Sequence, residues 1–153
     1  MPGHELALRL LLGFRLLVDE LHDELARQGH PDVRPLHGFV LQAICPDGTT
    51  AAELGRRLGV SKQAAGKTVD GLERLGYVER SPDPADARRT TIRLTARAED
   101  CLARSAIIFG QLREQWAERI GRTHLARLEE DLRILTPADA FRLDAPGWFG
   151  GSG

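Results

Sequence analysis

The sequence predicts a mainly α-helical protein with one small β-hairpin, and three observations lead there. Apolar residues recur at three- and four-residue steps over most of the chain. Only residues 77–80 and 90–94 alternate in the two-residue period of strands. Between them stand Pro82 and Pro84, which cannot donate to a ladder, so the stretch from these prolines to Arg89 is expected to be an exposed tip.

The first expected helix covers residues 4–28. Leu6, Leu10, Phe14, Leu17, Leu21 and Leu25 form one stripe, Leu8, Leu11, Leu12 and Val18 widen it, and Gly29 and Pro31 end the helix. So much apolar surface on one helix would stay wet in a monomer. A second helix, residues 35–44, is apolar at Leu36, Phe39, Val40 and Ala43, and leads through Asp47 and Gly48 to a short helix over 51–58 that is periodic through Ala51, Leu54 and Leu58. Gly59 ends that helix, so the next turn is short. Ser61 then offers a hydroxyl at an N-cap position, and Ala65, Thr68, Val69, Leu72 and Leu75 recur as a buried stripe. The opposite face, Lys62, Gln63, Gly66, Lys67, Asp70 and Arg74, is polar and mostly basic, with small residues where a helix must approach another surface closely. Gly76 stops this helix and the hairpin follows, with Asp83, Asp86, Arg88 and Arg89 on its tip.

After Thr95, which can cap, a helix of roughly seven turns is expected to reach Ile120, with Ala98, Cys101 or Leu102, Ser105, Ile108, Leu112, Trp116 and Ile120 on one face. Gly121 breaks it. Leu125, Leu128, Leu132 and Leu135 mark another helix, Thr136 and Pro137 start a short terminal turn, and residues 147–153 are too glycine-rich to order without a partner. Wide apolar faces at both chain ends, separated by a motif that packs its own core, imply a second subunit. A two-fold dimer is the commonest such arrangement, and it would present two copies of the central motif about one symmetry axis.

Two short helices, a ribbon and a basic tip in that order are how a winged helix-turn-helix addresses duplex DNA. Charge supports the reading. Residues 55–97 hold ten Lys/Arg against five Asp/Glu, while the remainder holds eleven against seventeen, so a basic module is set into an acidic chain of net charge -1. Arg80, Arg88, Arg89 and Arg93 lie on the ribbon, where alternating charge on a solvated helix is no explanation. A length of 153 residues suits one unit and is short for an enzyme with separate cofactor and substrate domains. Residues 6–18 are the most apolar stretch, but Arg9 and Arg15 interrupt it and it falls below the roughly 20 apolar residues a membrane span requires. His4 and Glu5 stand where a secretory signal has basic residues, and no small-residue cleavage site follows, so a cytoplasmic protein is expected.

The segment resembles the DNA-binding domain of the MarR (multiple antibiotic resistance regulator) family. The similarity rests on a Ser61-initiated recognition helix, on DGLERLGYVER from Asp70 to Arg80, on the wing Asp83-Pro84-Ala85-Asp86-Ala87-Arg88, and on Leu94-Thr95 opening the next helix. It covers this third of the chain closely and the flanks in helical character and length. The resemblance implies one unit over 1–146, with a winged helix-turn-helix lobe at 35–95, dimerisation helices at 4–30 and 96–143, and a flexible tail at 147–153. It also implies that Arg88 enters the minor groove by carry-over of the D-x-R pattern, with Asp86 holding its guanidinium and Arg89 on phosphate. Gly66 departs from the hydroxyl residue often found there in the family, which should weaken the helix and any contact at that point.

On the helix itself, Gln63 is the candidate base reader, since its amide can pair bidentately with adenine. Lys67, one turn on, faces guanine or phosphate. Ser61 and Lys62 suit phosphate, toward which N-terminal backbone amides also point. The bland reading of Asp86 and Arg88 is a turn that stabilises itself. Members of the family commonly bind small phenolic or other aromatic compounds in a cleft between the dimerisation helices and the DNA-binding lobe. Phe14, Phe39, Phe109 and Trp116 are the candidates here, although each also suits a core.

No catalytic constellation, cofactor motif or metal motif competes. His4, His22, His30, His37 and His124 show no H-E-x-x-H pattern or Cys/His pairing, and no phosphate-binding glycine loop is present. His22, His30 and His37 lie near Asp23 and Asp32, which leaves a metal-sensing variant open. Cys45 and Cys101 lack metal or disulfide spacing; Cys101 falls on an apolar stripe, whereas Cys45, at a helix end, leaves a thiol-sensing variant open. The alternative of another class is a winged-helix module that binds protein.

Overall fold

A computed structural model describes residues 2–136. The elements in order are α1 (Gly3–Arg27), α2 (Pro35–Gln42), α3 (Ala51–Leu58), α4 (Lys62–Arg74), β1 (Val78–Pro82), β2 (Thr90–Leu94), α5 (Ala96–Ile120) and α6 (Arg122–Leu135). The fold is mainly helical with a single two-stranded antiparallel sheet among the described residues. The expected terminal turn from Pro137 onward, the part of the dimerisation helices assigned beyond 136, and the tail at 147–153 lie outside the described residues. The described residues form two compact units, one from Arg34–Ala103 and one from residues 2–33 together with 104–136.

In the central unit, α3 packs on α4 and β2, and α4 packs on β1. Leu54, Leu58, Ala65, Val69, Leu72, Tyr77, Val78 and Ile92 are buried there, together with Val40, Leu41 and Ile44 around α2. Each fully buried leucine contributes about 1.5–3 kcal/mol by leaving water. Thr50 caps α3, accepting from Glu53 N at 3.2 Å while the Glu53 carboxylate accepts from Thr50 N at 3.3 Å. That reciprocal pair satisfies two of the amides a helix start leaves open. Gly59, at φ +69°, ends α3 in the left-handed conformation.

The ribbon is longer than the prolines suggest. β1 runs through Pro82, which pairs with Thr90, so the tip begins only at Asp83. Asp83 N donates to Arg89 O at 2.7 Å, which makes that facing pair the hydrogen-bonded one. Pro82, one residue earlier, therefore occupies a non-hydrogen-bonded site, where its missing N–H leaves no gap in the ladder. The other edge of β2 is also used. Thr49 N donates to Ile92 O at 2.9 Å, and Ile92 N donates to Thr49 O at 2.8 Å. The preceding Gly48 sits at φ +99°, and a Cβ there would lie 2.2 Å from Thr91 Cγ2, so only glycine fits this approach.

In the terminal unit, α1 buries Val18, Leu21 and Leu25; α5 contributes Ser105, Ile108, Leu112 and Ala117, and α6 contributes Leu125. Arg104 Nη1 donates to Gln28 Oε1 at 3.1 Å. Arg113 clasps Glu129 with two parallel bonds, Nε to Oε2 at 2.9 Å and Nη2 to Oε1 at 2.5 Å. The hydrogen bonds from Arg113 hold the Glu129 carboxyl below the ordinary glutamate value.

The expected stripes are only half used within one chain. Leu6, Leu10 and Phe14 of the α1 stripe are exposed, as are Leu8, Leu11, Leu12 and Leu16, with Leu6 at 65% and Leu16 at 62%. On α6, Leu128 and Leu135 are exposed and Leu132 is half-buried. On α5 the buried line passes to Ala117, leaving Trp116 half-buried and Ile120 exposed. No described helix is long and apolar enough to cross a membrane.

Candidate nucleic-acid interface

The site is built on α4. Ser61 caps the helix, its hydroxyl accepting from Ala64 N at 3.0 Å. Lys62 and Gln63 follow in the first turn, where unpaired backbone amides gather positive potential, and both are exposed. Lys67 is exposed one turn on, and Gly66 is half-buried with open space where a Cβ would stand. The other face buries Ala65, Val69 and Leu72.

What orients this face is the short turn before it. Val60 N donates to Gly55 O at 2.9 Å, and a Cβ on the buried Gly55 would lie 2.8 Å from Val60 O. Gly55 therefore lets the turn fold directly over α3. The periodicity of 51–58 gave no sign of this, since a glycine within a helix reads there only as a weak helix former.

The wing tip is a set of self-closing turns. Asp83 Oδ1 accepts from Ala85 N at 2.9 Å, Asp86 Oδ1 accepts from Arg88 N at 3.0 Å, and Arg89 N donates to Asp86 O at 2.9 Å. Asp86 thus organises the backbone that carries Arg88. The Arg88 guanidinium stands 96% exposed, its Nε 3.7 Å from Asp86 Oδ1. Arg89 is also exposed. The stabilising turn and the presentation of Arg88 to solvent are one arrangement.

Arg80 differs from its neighbours. Though it sits on the ribbon, its guanidinium turns to α4, Nη1 donating to Asp70 Oδ1 at 2.5 Å and to Glu73 Oε1 at 3.4 Å, and Nη2 to Gly66 O at 3.1 Å. Arg80 therefore does not add to the exposed basic footprint expected of the ribbon. The signal available in sequence was the pair of acids on the preceding helix, Asp70 and Glu73, one turn apart.

The candidate ligand residues are spread over both units. Phe14 and Phe109 are exposed at 37% and 36%. Trp116 is half-buried, its ring 3.3 Å from where a Cβ on Gly13 would lie, and Phe39 is half-buried in the central unit. Cys101 is buried, and Cys45 is half-buried with Arg57 Nη1 donating to its Sγ at 2.8 Å and to Ala43 O at 2.8 Å. Among the described residues no group of three or more His, Cys, Asp or Glu is placed to hold a metal ion. His22 Nδ1 lies 2.6 Å from Val18 O, and His37 Nδ1 accepts from Arg34 N at 3.1 Å.

A short helix pair joined by a glycine turn, followed by a ribbon with an arginine tip, defines a winged helix-turn-helix protein. A MarR family model matches residues 32–89. The fold is similar to that of wild-type MarR from E. coli in its apo form, at 25% identity and TM-score 0.66, covering 90% of this chain and 98% of that one. It is also similar to FabT of Streptococcus pneumoniae, solved in complex with DNA, at 18% identity and TM-score 0.72, covering 86% and 93%. In sequence, 84 residues are 32% identical to the LexA repressor of Deinococcus radiodurans, covering 54% of this chain. The chain spans 38% and 28% of the length of the curated relatives it matches. The central third of this chain is thus similar to the MarR family, and the described fold is that of MarR-type winged-helix proteins.

Proposed function

We propose that this protein is a DNA-binding transcriptional regulator, a repressor that grips a palindromic operator as a homodimer and acts in the cytoplasm. The observation that carries the reading is the pairing of an exposed, N-capped helix face (Lys62, Gln63, Lys67) with a solvent-facing arginine tip (Arg88, Arg89). Recognition is then shared. Gln63 reads a base in the major groove, with Lys67 beside it on base or phosphate, while Ser61 and Lys62 lie against phosphate at the helix start. Gly66 allows close approach. Arg88, on the backbone that Asp86 organises, enters the minor groove, and Arg89 holds phosphate. The apolar residues left exposed on α1 and α6 support the homodimer, since single chains seldom leave such patches in water. The reading is of a binding protein, not an enzyme.

The proposal extends to release by a small aromatic or phenolic ligand, with Phe14, Phe109 and Trp116 of the terminal unit as its candidate contacts and Phe39 a separate candidate in the central unit. Such a ligand lowers operator affinity only through its different affinity for two dimer arrangements, and a coupling of about 1–3 kcal/mol changes DNA binding roughly 5- to 150-fold. Operator must weaken the ligand by the same factor; a compound with equal affinity in both titrations is not the effector. A gel-shift series on nonspecific duplex tests the DNA reading against a winged-helix module that binds protein. A DNA binder loses affinity steeply as salt rises, and a protein-binding module shows no such dependence.

A further inference from the structure

We infer that Arg80 is a positioning residue for DNA recognition, fastening the wing ribbon to the recognition helix and cancelling two carboxylates on that helix; the inference rests on the DNA-binding reading. Its three acceptors belong to residues 66, 70 and 73, which lie one above another along a single line of α4. A guanidinium spans such a line because its planar fork carries donors in several fixed directions, whereas an ammonium is a point charge. The side chain is only 26% exposed, so the contact is partly shielded from solvent.

Two consequences follow for binding. Asp70 and Glu73 are 56% and 45% exposed on the helix that carries Lys62 and Lys67, and as free anions they would oppose phosphate. With Arg80 seated between them, the basic residues dominate that surface. Geometrically, Arg80 sits mid-strand in β1 opposite Ile92, while Arg88 and Arg89 lie at the far end of the same ribbon. Fixing the strand to the helix fixes where the tip stands relative to Gln63. Arg80 is thereby spent on protein and makes no phosphate contact of its own.

The test is anisotropy binding of the full chain to a labelled random-sequence duplex over a salt series, comparing wild type with R80A, R80A/D70N/E73Q, R80K and R88A. R88A removes a DNA contact and should flatten the slope of log K against log salt by about one. R80A made together with D70N and E73Q, so that no freed carboxylate is left to repel phosphate at low salt, should lose about 5- to 10-fold in affinity at every salt with the slope unchanged. R80K should recover part of that loss, because it restores the ion pair but not the three-way grip, and it carries the comparison if R80A melts too low to use. A slope flattened by about one in the R80A/D70N/E73Q variant, as by R88A, would make Arg80 a phosphate ligand and overturn the inference, as would full affinity in R80A. Wild type without salt-dependent binding would instead overturn the DNA reading itself, and the inference with it.

Discussion

Gln63 and Arg88 divide the proposed labour of recognition, and substitution separates them. Gln63→Ala should cost about 1–3 kcal/mol on a preferred site and relax preference at one position, with little change on random duplex. Arg88→Ala should weaken all sequences, most where the minor groove is narrow. Binding of both variants to preferred and random duplexes checks this; an equal, sequence-independent loss in both would remove the base-reading role of Gln63. At this scale the Ser61 cap, the buried stripe of α4 and the polar face were legible, because they follow from local spacing. The direction of Arg80 was not. Alternation along a strand says which side a residue takes, and nothing about which neighbour its long side chain will reach.

Helix and strand limits were readable wherever punctuation is local, as with Gly59 after α3 and Gly76 after α4. The bridge between Thr49 and Ile92 was not, since it joins residues far apart in sequence, and Pro82 misled because its effect depends on which ladder site it occupies. The two helical glycines make a paired prediction for this unit. Gly66→Ala should stabilise by about 0.5–1 kcal/mol, as the space is open and alanine favours the helix. Gly55→Ala should destabilise by about 1–3 kcal/mol despite the same gain in propensity, because its Cβ meets the Val60 carbonyl. Thermal melts of the two variants should move in opposite directions.

The α5–α6 pair adds a pH dependence. Glu129 has its pKa lowered in the folded chain, so its contribution is present above the unfolded value and is lost as pH falls through the folded one. Both side chains are partly exposed, at 45% and 34%, so solvent screening keeps the effect small. Urea midpoints of wild type and Glu129→Gln should differ at neutral pH and converge in acid; a difference that persists in acid would assign the loss to packing.

For the whole molecule, the apolar excess at the two chain ends was legible from periodicity, but which leucines a single chain covers was not, because that depends on how the helices meet. The homodimer reading predicts twice the chain mass by light scattering at micromolar concentration, and a monomer there would refute it. Dimer, recognition helix and wing converge on the form of the DNA site. Selection of duplexes from a random pool by the full chain measures that form most directly. The account predicts an inverted repeat with half-site centres about one helical turn, roughly 34 Å, apart. A pool that stays random, or an enriched site without two-fold symmetry, would contradict it.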